Sequence, residues 1–213
     1  DNLCVVNKSA GIPVQPDGTG DPSLLYLLSK QLHPQVPGLI HRLDRPVSGV
    51  VLFSLDAHTL RIMNEQFKNR KVEKHYWAIV EGMWEGGDRI LEHWLDHDMK
   101  TKKSRISAEQ KGEAARLNVK LLAQGDRFSL VEVVPEGGAF HQIRAQLAAA
   151  GHPIKGDVKY GARRGEKDRS IALHARSVAF HHPATDEKIE FTAPARTDGI
   201  WQPLLSKAGI GTS

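Results

Sequence analysis

His41-Arg42-Leu43-Asp44-Arg45-Pro46-Val47-Ser48-Gly49-Val50-Val51-Leu52-Phe53-Ser54-Leu55 is the stretch on which the reading turns. From Val50 to Leu55 the apolar residues run on consecutively rather than on every second position. A run of this length predicts a strand buried on both faces. The residues before it form a charged turn in which Asp44 sits between Arg42 and Arg45. Loops held by a buried scaffold are where proteins tend to display functional groups. The segment alone leaves two readings of Asp44. It satisfies backbone donors in the turn or pairs with a neighbouring arginine, or it is a carboxylate held out for chemistry.

Working outward, Leu3 to Val6 reads as a short strand, and Gly11 to Val14 as a turn entering another extended piece. Asp21-Pro22-Ser23 predicts a helix start, with Asp21 as the cap and Pro22 at the first helical position. Leu24, Leu25, Leu27, Leu28 and Leu32 supply its apolar face, and Pro34 and Pro37 end it. Asp56 caps a second helix through Leu60, Met63 and Phe67. His75 to Val80 alternates as a strand, and the polar, basic stretch from Asp96 to Glu113 reads as an exposed excursion. Leu117 to Leu122 and Phe128 to Val134 pair around the Gln124-Gly125-Asp126 turn. A third helix spans His141 to Ala150, with Gly151 at its C-terminal end. Ile171 to Phe180 and Lys188 to Phe191 complete the strands around a turn at Pro183 to Glu187. The expectation is an α+β fold, one domain over residues 1–213 or one large domain with lobes, with three helices on a largely antiparallel or mixed sheet.

Composition bounds the rest. The chain has 213 residues, 40% of them hydrophobic, which is enough to bury a core and excludes wholesale disorder. Its one cysteine, Cys4, forms no internal disulfide and reads as a small buried hydrophobe in a reducing compartment. No apolar run approaches the roughly 18 residues of a membrane helix, and no signal sequence opens the chain. The cytoplasm is therefore the expected address, and the start at Asp1 rather than Met leads us to expect a missing N-terminal segment. The formal charge is +4. It gathers in three clusters: Lys68, Arg70, Lys71 and Lys74; Lys100, Lys102, Lys103 and Arg105; and Lys155 through Arg169. Such patches would draw a polyanion by counterion release, or be no more than solvated loops. The 11 histidines show no metal-ligand spacing, and His181 and His182 point to opposite faces of a strand.

Two further segments bear on Asp44. Phe140-His141-Gln142-Ile143-Arg144 opens the third helix, and a guanidinium such as that of Arg144 can hold a carboxylate bidentately and keep it ionised. Lys74-His75-Tyr76-Trp77 places a cation and aromatic rings on a strand. Taken separately, Tyr76 is more often core than platform, and Arg144 more often a surface ion pair.

Together the segments resemble a known family. His41-Arg42-Leu43-Asp44-x-x-x-Ser48-Gly49 is similar to the signature of the RluA-type RNA pseudouridine synthases, and Lys74-x-Tyr76-x-Ala78-x-Val80 to their second motif. His141-Gln142-Ile143-Arg144, Leu147 and Gly151-x-Pro153-Ile154-x-Gly156-Asp157-x-x-Tyr160-Gly161 match the third. Asn7-Lys8, Leu173-His174-Ala175 and His182-Pro183 also fall where the family has similar patterns, so the resemblance covers about residues 5 to 201. Ser9 replaces a usual proline, Val47 a usual threonine, and Gly138-Ala139-Phe140 a Gly-Arg-Thr-like lead. The small N-terminal S4-like RNA-binding domain of many relatives is not visible.

The resemblance implies a synthase-like catalytic domain with a central cleft, which isomerises uridine in structured RNA without metal or diffusible cofactor. Large-subunit ribosomal RNA is the first expected partner, transfer RNA the second, and most relatives act as monomers. It assigns Asp44 to catalysis, by attack on C1′ or removal of the C2′ proton. Arg144 would orient Asp44 and keep it charged, and Tyr76 would stack on the uracil. Ile143 and Leu173 would keep water out. Arg42 would fill the space vacated when the uridine leaves its stack, and Lys8 would hold phosphate. Two alternatives stand beside this: a binder that keeps the fold without catalysis, and a water-using glycosidase. The second needs another carboxylate as acid, and the matching motifs contain none.

Overall fold

The computed structural model describes residues 2–211. Asp1, where an upstream segment is expected, lies outside them. In chain order the elements are β1 (Leu3–Lys8), α1 (Leu24–Gln31), β2 (Gly38–Leu39), β3 (Ser48–Ser54), α2 (Ala57–Lys68), β4 (Glu73–Glu81) and β5 (Arg89–Asp98). There follow β6 (Lys103–Ile106), β7 (Glu113–Gln124), β8 (Phe128–Glu136), α3 (Gln142–Ala149), β9 (Leu173–His181), β10 (Lys188–Thr192) and α4 (Trp201–Lys207). The chain gathers into two compact units, one of residues 1–74 and 175–194, the other of residues 75–174 and 195–213. The α+β class expected from sequence is the class found.

In the first unit, β3 is the central strand, and all seven of its residues are buried. This is why its sequence is apolar without alternation. It pairs antiparallel with β1 from Leu3↔Ser54 to Lys8↔Gly49, and with β2 at Gly38↔Ser54. β10 pairs antiparallel with β9. Val50 and Leu52 pack with Ile40, Met63 of α2, Val178 and Phe180 in one apolar cluster. Each such fully buried side chain contributes about 1.5–3 kcal/mol. Gly49 has a reason to be glycine: its φ is +116°, and a Cβ there would lie 2.2 Å from the Ala175 carbonyl oxygen. Asp56 caps α2 as expected, its carboxylate accepting from the Thr59 N–H at 2.9 Å. At α1 the cap is Ser23, not Asp21: the Ser23 hydroxyl accepts from the Tyr26 N–H at 3.2 Å, and Pro22 stands outside the helix. Asp21 is drawn away by an ion pair to Arg45. Cys4 is only partly buried, though burial still raises its thiol pKa, which disfavours a reactive thiolate.

In the second unit, β8 lies between β4 (Tyr76↔Val133 through Glu81↔Phe128) and β7, β7 pairs with β5, and β5 with β6, all antiparallel. The stretch expected as an exposed excursion is therefore partly regular strand. Asp96 to Ile106 is the distal half of a hairpin in which Leu95 faces Ile106 across the ladder. Its polar outer face hides the alternation, while Leu91, Leu95 and Ser104 turn inward and are buried. The sequence reading also missed α4. Pro203 stands at its third position, within the first turn, where a missing N–H costs nothing. Trp201, Leu204 and Leu205 are its buried face. Among the described residues, no helix is long and apolar enough to cross a membrane.

Candidate active site

The Asp44 turn is tied down from three directions within the first unit. Its backbone closes on itself through Val47 N–H to the Asp44 carbonyl at 3.0 Å. Leu43 and Val47 are buried on either side of it, anchoring both ends. Lys8 is 1% exposed, and its ammonium donates to the carbonyls of Ser9 (3.0 Å), Ile12 (2.9 Å) and Arg45 (3.1 Å). Arg45 reaches the opposite way. Its Nε donates to the Gly11 carbonyl at 2.8 Å and its Nη1 to the Thr19 hydroxyl at 2.8 Å. The same guanidinium pairs with Asp17 at 3.2 Å and, through Nη2, with Asp21. The Gly11 N–H returns a bond to the Arg45 carbonyl at 2.8 Å. The 9–21 loop and the 42–47 turn are thus one laced structure, with the Asp44 carboxylate carried on it.

This geometry corrects two readings. Lys8 does not hold phosphate: all three of its protons go to backbone carbonyls and it is sealed from solvent, so its work is to shape the turn. The alternative in which Asp44 pairs with its sequence neighbour Arg45 fails as well, because that guanidinium is spent on Gly11, Thr19, Asp17 and Asp21. Arg42, two residues before Asp44, is exposed.

The electrostatics follow from burial. Desolvation pushes the Lys8 ammonium down to about 8, against the pull of the Asp44 carboxylate and with the opposing charge of Arg45. Hydrogen bonds from Thr19 hold Asp17 low, and the Arg45 guanidinium does the same for Asp21. His41 is pushed down to about 3, first by burial and then by the charge of Lys74. It is therefore neutral, with Nε2 accepting from the Leu52 N–H at 3.1 Å and its ring stacked on Phe67 at 5.0 Å. It ties the start of the turn to β3. Burial, then Arg70, lowers Lys74 to about 8.

The remaining candidates lie in the second unit. Tyr76 is half-buried on β4, opposite Val133. Ile143 is 8% and Leu173 3% exposed, so both are buried rather than surface. Arg144 is buried on the first turn of α3, and Asp157 grips it bidentately, Nε to Oδ2 at 2.7 Å and Nη2 to Oδ1 at 2.8 Å. It is not the surface ion pair that the segment alone favours, since the pair with Asp157 is buried. Its Nη1 lies 3.1 Å from His141 Nε2, and the guanidinium stands over the Tyr160 ring at 5.0 Å. Sequence reasoning quoted Asp157 in a motif but gave it no role, although a buried arginine requires such a partner. A Schellman turn places it: the Gly151 N–H reaches the Ala148 carbonyl at 3.0 Å and the His152 N–H the Leu147 carbonyl at 3.0 Å. The chain then passes Gly156, where φ is +89° and a Cβ would meet the Ser170 carbonyl oxygen at 2.9 Å.

The sequence and the α+β fold of this chain have counterparts among known proteins. The chain belongs to the RNA pseudouridylate synthase family, whose model matches residues 2–149. Family members are RNA isomerases, and the chain is of the RluA type. Among curated relatives it is 37% identical to tRNA pseudouridine synthase C of Haemophilus ducreyi, over 98% of this chain and 93% of that protein. It is 33% identical to ribosomal large subunit pseudouridine synthase C of Buchnera aphidicola subsp. Schizaphis graminum, over 90% of this chain but only 64% of the relative. Among solved structures it resembles human RNA pseudouridylate synthase domain containing 1, with a TM-score of 0.76 at 26% identity, covering 91% of this chain and 80% of that one.

Proposed function

We propose that the protein isomerises specific uridines to pseudouridine in structured RNA, large-subunit ribosomal RNA or transfer RNA, with Asp44 as the catalytic carboxylate. The observation that carries this is the clamp on the Asp44 turn. Lys8 and Arg45 together make seven hydrogen bonds or ion pairs that fix a loop bearing one acid. So much fixing of one loop suits a group that must meet a reacting atom to within a fraction of an ångström.

The reaction breaks the N1–C1′ bond, turns the base, forms a C5–C1′ bond and releases the C5 proton. Positive charge develops on the sugar as the first bond breaks, and an ionised carboxylate stabilises it, as in glycoside hydrolysis. Asp44 then either attacks C1′ or removes the C2′ proton, and both routes require the ionised form. Arg144, its fork set by Asp157, holds that carboxylate charged, and Tyr76 stacks on the uracil. Ile143 and Leu173 contribute apolar wall, which matters because water at the sugar would turn isomerisation into hydrolysis. Arg42 enters the stack that the uridine vacates, at a flipping cost of a few kcal/mol to the RNA. A monomer working in the cytoplasm without metal or diffusible cofactor completes the reading.

The test incubates the protein with transcribed large-subunit ribosomal RNA and with transfer RNAs, digests them to nucleosides and separates pseudouridine from uridine by chromatography. New pseudouridine in one class of RNA, absent with Asp44→Ala, supports the assignment and names the substrate. RNA binding without any product from either class would leave a non-catalytic binder in its place.

A further inference from the structure

The buried fork of Arg144 is one end of a hydrogen-bond chain that leads out to the β5–β6 hairpin. Arg144 Nη1 lies 3.1 Å from His141 Nε2, and His141 Nδ1 lies 2.9 Å from the Tyr160 hydroxyl. That hydroxyl in turn accepts the Ser104 N–H of β6 at 2.8 Å. Ser104 is 4% exposed, and its own hydroxyl donates to the Phe140 carbonyl, one residue before His141. The proton positions are forced. A guanidinium can only donate, so His141 Nε2 must accept, and the one proton of the neutral ring sits on Nδ1 and points at Tyr160.

The ring is fixed on its other sides as well. Phe140 stacks on it at 3.9 Å and 18°, and Phe140 meets His97 of β5 at 4.1 Å. Tyr160 stands edge-on to it at 5.6 Å. His141 holds this place at φ +52°, a left-handed conformation that non-glycine residues adopt at a cost of about 1 kcal/mol or more. Helix capping does not account for it, since the side chain makes no capping bond at α3. An imidazole with both nitrogens committed, one face stacked and its backbone strained is set for position.

We propose that His141 and Tyr160 are positioning residues that couple the seating of the β5–β6 hairpin to the orientation of Arg144. The inference rests on the part given above to Arg144 in holding the catalytic carboxylate. The hairpin carries the exposed basic cluster of Lys100, Lys102 and Arg105 beyond Ser104. Displacing it pulls the Ser104 N–H from Tyr160, loosens the phenol from His141 and frees the imidazole to turn away from Arg144. Asp157 alone then sets the fork, with one fewer restraint on Nη1.

Three measurements on the full chain test this. In the ¹⁵N–¹H correlation spectrum of ¹⁵N-histidine-labelled protein, with His141→Asn used for assignment, the His141 ring is expected entirely as the Nδ1–H tautomer. In Tyr160→Phe, which keeps the ring and its stacking on Arg144, that tautomer becomes a mixture, and in ¹⁵N-arginine-labelled protein the exchange of the Arg144 Nη1 protons quickens by about tenfold. The single-turnover rate falls by about tenfold while RNA affinity stays within about twofold, and the double variant with His141→Asn is no slower than either single one. An Nε2–H tautomer in the unaltered protein, or unchanged Arg144 exchange in Tyr160→Phe, overturns the coupling. So does a rate that Tyr160→Phe leaves alone while the unaltered protein turns over. If the unaltered protein isomerises no RNA, the proposed function fails, and the two spectroscopic readouts still decide the coupling.

Discussion

Replacing Lys8 with methionine removes the charge sealed beneath the Asp44 turn and keeps a side chain of similar length. The folded-state value of Lys8 is about 8, against an ordinary 10.5, chiefly because burial disfavours the ammonium. Below pH 8 Lys8 is charged in both folded and unfolded chains, and the fold carries the whole cost of burying the charge. Between pH 8 and 10.5 the unfolded chain binds more protons than the folded one, so stability rises with pH, and above 10.5 the gain is complete. The depression of about 2.5 units corresponds to about 3 kcal/mol. Lys8→Met lacks this dependence, while every other titrating group is common to both proteins. Urea unfolding from pH 7.5 to 10.5 is therefore expected to show the unaltered protein gaining about 3 kcal/mol relative to the variant. Asp44→Asn, which removes the one attraction that raises the Lys8 value, shifts the window to lower pH. A stability difference that stays flat across this range would refute the reasoning, because a lysine titrating normally is not buried as described.

Gly49→Ala drives a Cβ into the Ala175 carbonyl oxygen and forces alanine to a φ of +116°. A loss of about 3 kcal/mol or more, or about 6–12 °C in Tm, is expected by calorimetry, and a shift under 2 °C would exclude the close approach. Asp157→Ala takes this bidentate partner from an arginine that is itself 5% exposed. Urea denaturation should register about 3–4 kcal/mol, whereas a loss below 1 kcal/mol would mean that the fork is set by other groups. His41, at about 3, binds its proton more weakly in the folded than in the unfolded chain. Stability is therefore lost as pH falls below 6.5, by about 2 kcal/mol through this group between pH 6.5 and 4.5. His41→Gln abolishes that component, and an identical acid slope in both proteins would count against a buried neutral ring.

What the sequence made legible follows from which forces act locally. The run from Val50 to Leu55 announced β3 because burial on both faces selects apolar residues, and its one polar member, Ser54, is satisfied by the Asp56 carbonyl. Asp56 announced α2 because a cap acts within three residues. Asp21 misled because the long-range pull of Arg45 outweighed its local capping preference, leaving Ser23 to cap α1. The β5–β6 hairpin went unseen because an edge ribbon can be polar on most positions and still keep Leu95 and Ser104 inward. Pro203 disguised α4 because a first-turn proline looks like a breaker when the start is unknown. For the proposed site, the family resemblance, and not any one segment alone, pointed to Asp44, Tyr76 and Arg144. Lys8 was misread because sequence displays its charge and not its burial. The partner of Arg144 was beyond reach because Asp157 arrives from a loop after the helix, on a path set by Gly151 and Gly156.

The central claim is that Asp44 drives isomerisation of uridine, and tritium release tests it most directly. Transfer RNAs and large-subunit ribosomal RNA transcribed with uridine tritiated at C5 lose the label to water only where C5 bonds to C1′. The unaltered protein is expected to release tritium in proportion to modified sites, while Asp44→Ala binds the same RNA and releases none above background. Release by Asp44→Ala at the unaltered rate, or no release from either RNA by a protein that binds it tightly, would contradict the account.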